Sequence, residues 1–291
     1  MLFKRKEKVR DPIIHDEESN FTLSSGVHIL NRCNNVTLSG NVIVLESFNT
    51  TFKEISGKAK VQMMEDVEID VVSGKAKIGL FKSGKIRVVG GRASITTINT
   101  CEIDYVRDRS TVGTINGGFI RFVDDKAEVA TITSGEVLFV RNKSRIVTMI
   151  TGKITEISGN AKLVSMLNGK IQYLLNDSKV GTMNDGSIKL FADNSEVSTF
   201  NNGKIDEMLG RAIISANMNG EIKYQDKNTM ILYSPKESEK RMSDYLLVKH
   251  MEEESVESSE VEEKQEEQLA EKTTQEEKPK RKKGKSESKA K

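Results

Sequence analysis

The sequence predicts an all-β fold, a single-stranded parallel β-solenoid of about twelve coils, and three observations carry that expectation. The first is an interval. Ile69, Ile86, Ile103, Ile120, Val137, Ile154, Ile171, Ile188, Ile205 and Ile222 recur at every seventeenth position with no insertion or deletion. The second is a turn residue (Gly, Asp or Asn) that returns twice in each copy, too often for a helix to form between. The third is composition. With no Trp and only 5% aromatic residues, the core must be built from branched aliphatic side chains rather than large rings.

Residues 1–21 are polar and charged apart from Met1, Leu2, Phe3 and the pair Ile13–Ile14, and predict a flexible basic arm. The first ten residues carry five basic side chains against one Glu. Leu2 and Phe3, followed by Lys4, Arg5 and Lys6, combine apolar side chains for a lipid interface with cations for anionic headgroups, and form the candidate membrane contact. The solenoid is placed at 22–233. Its clean copies begin at residue 56, as in SGKAKVQMMEDVEIDVV and SGKAKIGLFKSGKIRVV. The copies at 22–38 and 39–55 fit the frame loosely, as end coils do.

Each copy splits into a nine-residue and an eight-residue half. The first half has a turn residue at its second place (Gly57, Gly74, Gly91, Asp108, Asp125, Asn142) and a small residue at its fourth (Ala59, Ala76, Ser110). A branched residue follows at the sixth (Val61, Ile78, Ile95) and a larger apolar one at the ninth (Met64, Phe81, Met149). The second half has glycine at the twelfth place (Gly118, Gly135, Gly152), the isoleucine ladder at the fourteenth and another apolar residue at the seventeenth. Small–x–branched spacing has the two-residue period of a strand, and the step of three to the next apolar place marks a bend. Two turn clusters per copy favour a two-sided cross-section, whereas the breaks in alternation favour a triangular one. The two-sided form is the expectation.

From Ser234 the pattern changes. SPKESEKRMSDYLLVKHMEEE predicts a capping helix over 234–252, with Met242, Tyr245 and Leu246 on one face to cover the last coil. Residues 253–291 are acidic and then basic, with almost nothing apolar, and predict a disordered tail. The net charge of +2 conceals this asymmetry between the ends. Cys33 and Cys101 lie four copies apart, roughly 19 Å along a stack of strands, too far for a disulfide. No apolar run is long enough to span a membrane, and the basic start runs into RDPIIHDEESN rather than an apolar signal segment. The expected location is therefore cytoplasmic (the host cell's, for a phage protein), with membrane association or incorporation in a virion left open.

Catalysis needs converging titratable groups, and the coils offer few. His15 precedes the coils, His28 falls in the first one and His250 in the expected helix. Glu68 with Asp70, and Glu102 with Asp104, fall together as in polysaccharide-cleaving β-helices. They share an outward face with Lys85, Arg87 and Lys153, so pairing between coils is their expected role. Asp recurs too irregularly to complete a calcium ligand set. The expectation is no enzyme, no cofactor and no metal. Thr97, Thr114, Thr131, Thr148, Ser165, Thr182 and Thr199 form a hydroxyl ladder at the eighth place, where Thr is also an ordinary exposed strand residue. Tyr105, Phe122 and Phe139 recur at the sixteenth place in successive coils. Facing out they form an interaction strip; facing in they are core, and the spacing admits both.

The turn–small–branched pattern, as in SGNAKLVSMLNGKIQYL at 158–174, resembles repeat proteins common in bacteriophage and bacterial genomes. That resemblance covers 22–233 and implies an architecture. The solenoid with charged ends, behind a short Met-apolar-Phe and lysine start, also resembles bactofilins, which are cytoskeletal polymers. This second resemblance implies end-to-end polymerisation and membrane attachment through residues 1–6. The expected function is a non-enzymatic structural or protein-interaction rod of phage or bacterial origin. A bactofilin-like membrane-associated polymer is the alternative, followed by a carbohydrate-binding or carbohydrate-cleaving β-helix. Expected partners are further copies of the chain or another structural protein, with membrane contact at the N-terminus. Nucleic acid is disfavoured, because the acidic block competes with the basic end.

Overall fold

The structure, a computed structural model, describes residues 11–235. The candidate membrane contact (Leu2, Phe3, Lys4, Arg5 and Lys6), the expected helix beyond Pro235 and the tail lie outside the described residues. Within them the chain is an all-β parallel solenoid of about 13 turns, its 25 strands joined in one sheet.

A typical coil contributes two five-residue strands, such as Thr111–Ile115 and Phe119–Val123, and each pairs in parallel with its equivalents in neighbouring coils. The register repeats the sequence interval: Ile103 pairs Ile120, Ile120 pairs Val137, and Val137 pairs Ile154. Each ladder residue therefore rests on its own kind. In most strands the second and fifth residues are buried and the others face out. The coil-to-coil pairing skips the middle residue, passing from Val112–Val129 to Thr114–Thr131, and this skip is the bend that the three-residue step predicts. Burying a typical ladder isoleucine contributes roughly 2 kcal/mol, repeated in every coil.

The two turns use glycine for different reasons. At the second place, Gly57, Gly74 and Gly159 and their replacements Asp108, Asp125 and Asn142 have φ between 56° and 66°. That left-handed region is open to Asp and Asn as well as Gly. At the twelfth place φ widens to 87–121° and the residue is always glycine where this geometry occurs. A Cβ added at Gly186 would lie 2.5 Å from the Gly169 carbonyl oxygen and 2.5 Å from Met166 Cε. The large residue at the ninth place of one coil thus fills the space left by the missing side chain at the twelfth place of the next. Two regular coils depart from this, with Val67 and Cys101 at the twelfth place. In Ser94–Val106, as in Lys77–Val89 with Gly84, the strand runs through the corner, and the buried Cys101 thiol donates to the Phe81 carbonyl. Burial pushes that thiol up to about 12.

The start of the solenoid differs from the sequence reading. Its first strand is Ile13–Asp16, inside the stretch assigned to the arm, and Ser19 bridges to Asn34. The first coils are shorter, not loose copies of the regular coil. Ile14 pairs Ile29 and Leu23 pairs Leu38, a step two short of the regular interval. Single-residue shifts at His28/Ile29 and Val36/Thr37 then bring the step to its regular value. Left-handed corners are held there mostly by Glu17, Asn20, Arg32, Asn35 and Asn49, with glycine only at Gly26 and Gly40, so the glycine rhythm is thin in these coils.

The two turn classes should respond differently to the same substitution. Gly159→Asn should cost less than about 1 kcal/mol, since Asn already occupies the equivalent place in the preceding and following coils. Gly186→Asn should cost about 3 kcal/mol or more, because both the backbone region and the space below are closed. Denaturant melts of the two variants test the difference.

Candidate functional site

The bend turns the sixteenth place outward, so the aromatic residues form a surface strip. Tyr105, Phe122 and Phe139 stack in register, with ring centroids 4.9 and 5.0 Å apart and planes within 8° and 17° of each other. Tyr105 is 41% exposed, too open to count as core. The Arg141 guanidinium lies 4.2 Å from the Phe139 centroid and 5.4 Å from that of Phe122, close enough for cation–π attraction. Arg141 also faces Glu156, its Nε 3.5 Å from Oε1, and Glu156 occupies the next sixteenth place, pairing with Phe139. At the other end the place is taken by Val88, which is buried. The strip is three rings long, with a charged stop at one end.

A second set of exposed apolar residues is Val164, in the strand Lys162–Met166, with Ile150 and Leu167 just past the ends of Arg145–Met149 and Lys162–Met166. The hydroxyl ladder runs beside it. Thr97, Thr114, Thr131, Thr148, Ser165, Thr182 and Thr199 stack one per coil and are half-buried.

Of the four carboxylates named from the sequence, Asp70, Glu102 and Asp104 sit against cations. Asp70 Oδ1 is 3.4 Å from Arg87 Nε, and Asp104 lies 3.8 Å from both Lys85 Nζ and Arg121 Nη1. Glu102 approaches Lys85 at 3.9 Å. Glu68, Asp70 and Asp104 line an open groove of about 570 Å³ with Lys85 and Arg87 among them. Similar pairs climb the solenoid: Lys153–Glu136 at 2.7 Å, Lys179–Glu196 at 2.6 Å and Lys223–Asp206 at 2.7 Å. The Lys179 hydrogen bond, with others from Ser198 and Ser215, holds the Glu196 carboxyl below its ordinary value.

The two described histidines meet at the first coils. His15 Nε2 is 3.0 Å from His28 Nδ1, His28 Nε2 donates to the Ser25 carbonyl at 2.8 Å, and His15 Nδ1 is 2.9 Å from Glu18 Oε2. All four ring nitrogens are engaged, which leaves no open base for a substrate proton. Among the described residues no group of three or more His, Cys, Asp or Glu is placed to hold a metal ion, and no helix is long and apolar enough to cross a membrane.

Sequence reasoning passed over one row. Lys58, Lys75, Arg92, Arg109, Lys126 and Lys143 occupy the third place in six consecutive coils and all are exposed. Reading the third column down the aligned copies is the signal that finds them. No protein-family model, curated protein or solved structure matches the chain.

The ion pairs lend stability with a defined pH sense. The Glu196 carboxyl is held low in the folded chain, so its contribution is present above the unfolded value and lost as pH falls through the folded one. Glu196→Gln should destabilise by up to about 1 kcal/mol at neutral pH and by nothing measurable once the native carboxyl is protonated. Thermal unfolding of both proteins across that acid range checks the sign.

Proposed function

We propose that this chain is a non-enzymatic structural rod that docks a further copy of itself, or another structural protein, along the Tyr105–Phe122–Phe139 strip. The stacked strip is the observation that carries the reading. Three aromatic side chains stand in register on an outer face, where the fold itself would accept Thr or Val. Aromatic side chains flanked by an arginine are the composition of binding hot spots. The remaining chemistry is consistent with this role, since inward places are spent on packing and three of the four named carboxylates face cations. A phage or bacterial source rests on the resemblance of the repeat alone.

A second reading has its own support. Ile13 and Ile14 in the first strand, and Met230, Leu232 and Tyr233 in the last, are at least half exposed. Exposed apolar strand edges favour end-to-end addition of further copies. That is the bactofilin-like polymer, with residues 2–6 as its membrane contact.

Sedimentation velocity and electron micrographs of the purified full chain separate the two. The strip reading predicts rods about 60 Å long that pair in a concentration-dependent way. Replacing Phe122 and Phe139 together by Thr should weaken that pairing at least tenfold while leaving the melting profile near that of the parent. Long filaments that persist in the double variant would transfer the proposal to the end-to-end polymer. A protein monomeric at every concentration would remove self-docking on the strip.

A further inference from the structure

In-register stacking sets equal residues one above another, so a charge repeated in every coil repels itself. Elsewhere on the outer face runs of like charge are no longer than three coils and several end on the opposite sign: Arg145, Lys162 and Lys179 stack between Glu128 and Glu196. Glu136 is followed by Lys153, Lys179 by Glu196 and Lys204 by Glu221, each pair within 4.0 Å. The third place breaks that habit. Lys58, Lys75, Arg92, Arg109, Lys126 and Lys143 follow one another without a neutral or acidic member.

Main-chain hydrogen bonds align this row. The N–H groups of Lys75, Arg92, Arg109, Lys126 and Lys143 donate to Gly57, Gly74, Gly91, Asp108 and Asp125 of the coil before, at 2.8–3.0 Å. Six cations are therefore held at about 4.8 Å intervals over roughly 24 Å. All are exposed, and none has a carboxylate within ion-pair distance among the described residues. Two carboxylates, Asp108 and Asp125, line the groove beside this row, and each turns its Oδ2 to a backbone N–H. Asp108 Oδ2 accepts from the Gly91 N–H at 2.7 Å, and Asp125 Oδ2 accepts from the Asp108 N–H at 3.4 Å. The row from Lys75 to Lys143 borders an open groove of about 770 Å³ whose floor is kept low by Gly74, Gly91 and Gly159.

We propose that this groove binds an extended chain of phosphates, either a linear polyphosphate or the backbone of a single-stranded nucleic acid. Folding gives no reason to keep six like charges in line, whereas a polyanion laid along the row would meet a cation at every step. A single straight row in a groove suits a thread of charge. A bilayer is planar and would need cations spread over a face. No aromatic residue lines the groove, so the phosphates and not the bases would be held. The strip at the sixteenth place and this row are separate surfaces, and either can fail without the other.

The test uses the full chain with three probes: inorganic polyphosphate, an oligothymidylate and vesicles containing phosphatidylserine, each titrated over a range of salt. Arg92→Gln, Arg109→Gln and Lys126→Gln are combined in one variant. Lys153→Gln, Lys179→Gln and Lys204→Gln are combined in a second, which removes equal charge from paired places; matched melting profiles show that both fold. The expected result is binding of a phosphate polymer that the first variant weakens at least tenfold and the second by less than threefold. The slope of log K against log salt for the oligothymidylate should fall by about 2 in the first variant, at about 0.7 per lost contact. Binding of polyphosphate alone, or of both polymers, identifies which source of phosphate fits. Equal losses in the two variants, no binding of either polymer, or binding of vesicles only would overturn the proposal.

Discussion

The constraint on which everything else rests is the main-chain ladder between coils. Parallel strands at one spacing can continue through the stack only if each coil returns its residues to the same place, and a coil of constant length does this from Lys60 to Tyr233. A single inserted residue would move each following strand by one place and exchange its inner and outer faces. The first coils show what tolerates a change of length: two slips, at His28/Ile29 and Val36/Thr37, take up part of the difference before the regular stack begins.

Stacking like on like has opposite consequences inside and outside. Inside, the isoleucine ladder, the small fourth place and the large ninth place each meet their own kind, and packing is solved once and repeated. Outside, repetition aligns rings, hydroxyls and charges. Aligned rings gain from stacking, as at Tyr105, Phe122 and Phe139, while aligned charges lose unless their signs alternate. The places where the outer face departs from what folding favours are therefore informative about partners. The uninterrupted row from Lys58 to Lys143 is one, and it shifts attention from the charged end of the tail, where phosphate contact looked poor, to a groove on the solenoid itself.

Much of this was legible in the sequence because a repeat displays its own alignment. The interval, the two strands per coil, the buried places and the left-handed turns at Gly57 or Asp108 all follow from columns of residue type. Three features did not. The short first coils lack the isoleucine ladder and have glycine at only two corners, Gly26 and Gly40, so Ile13–Asp16 resembled an arm. The direction of Tyr105 depends on a bend between two residues that both look exposed, and periodicity alone does not say which way it turns. The basic row was passed over, although the third column of the aligned copies displays it. Its significance lies in the length of the unbroken run, since in-register stacking sets each of these charges upon the next.

The central claim is that equivalent residues stack one strand spacing apart through the whole solenoid, and a pair of spin labels measures this directly. In a Cys33→Ala, Cys101→Ala background, labels at Thr97→Cys and Thr182→Cys sit on the hydroxyl ladder five coils apart. The account predicts a narrow distance near about 24 Å, growing by about 4.8 Å when the second label moves to Thr199→Cys. A broad distribution, or a distance that does not increase by one strand spacing on that move, would contradict it.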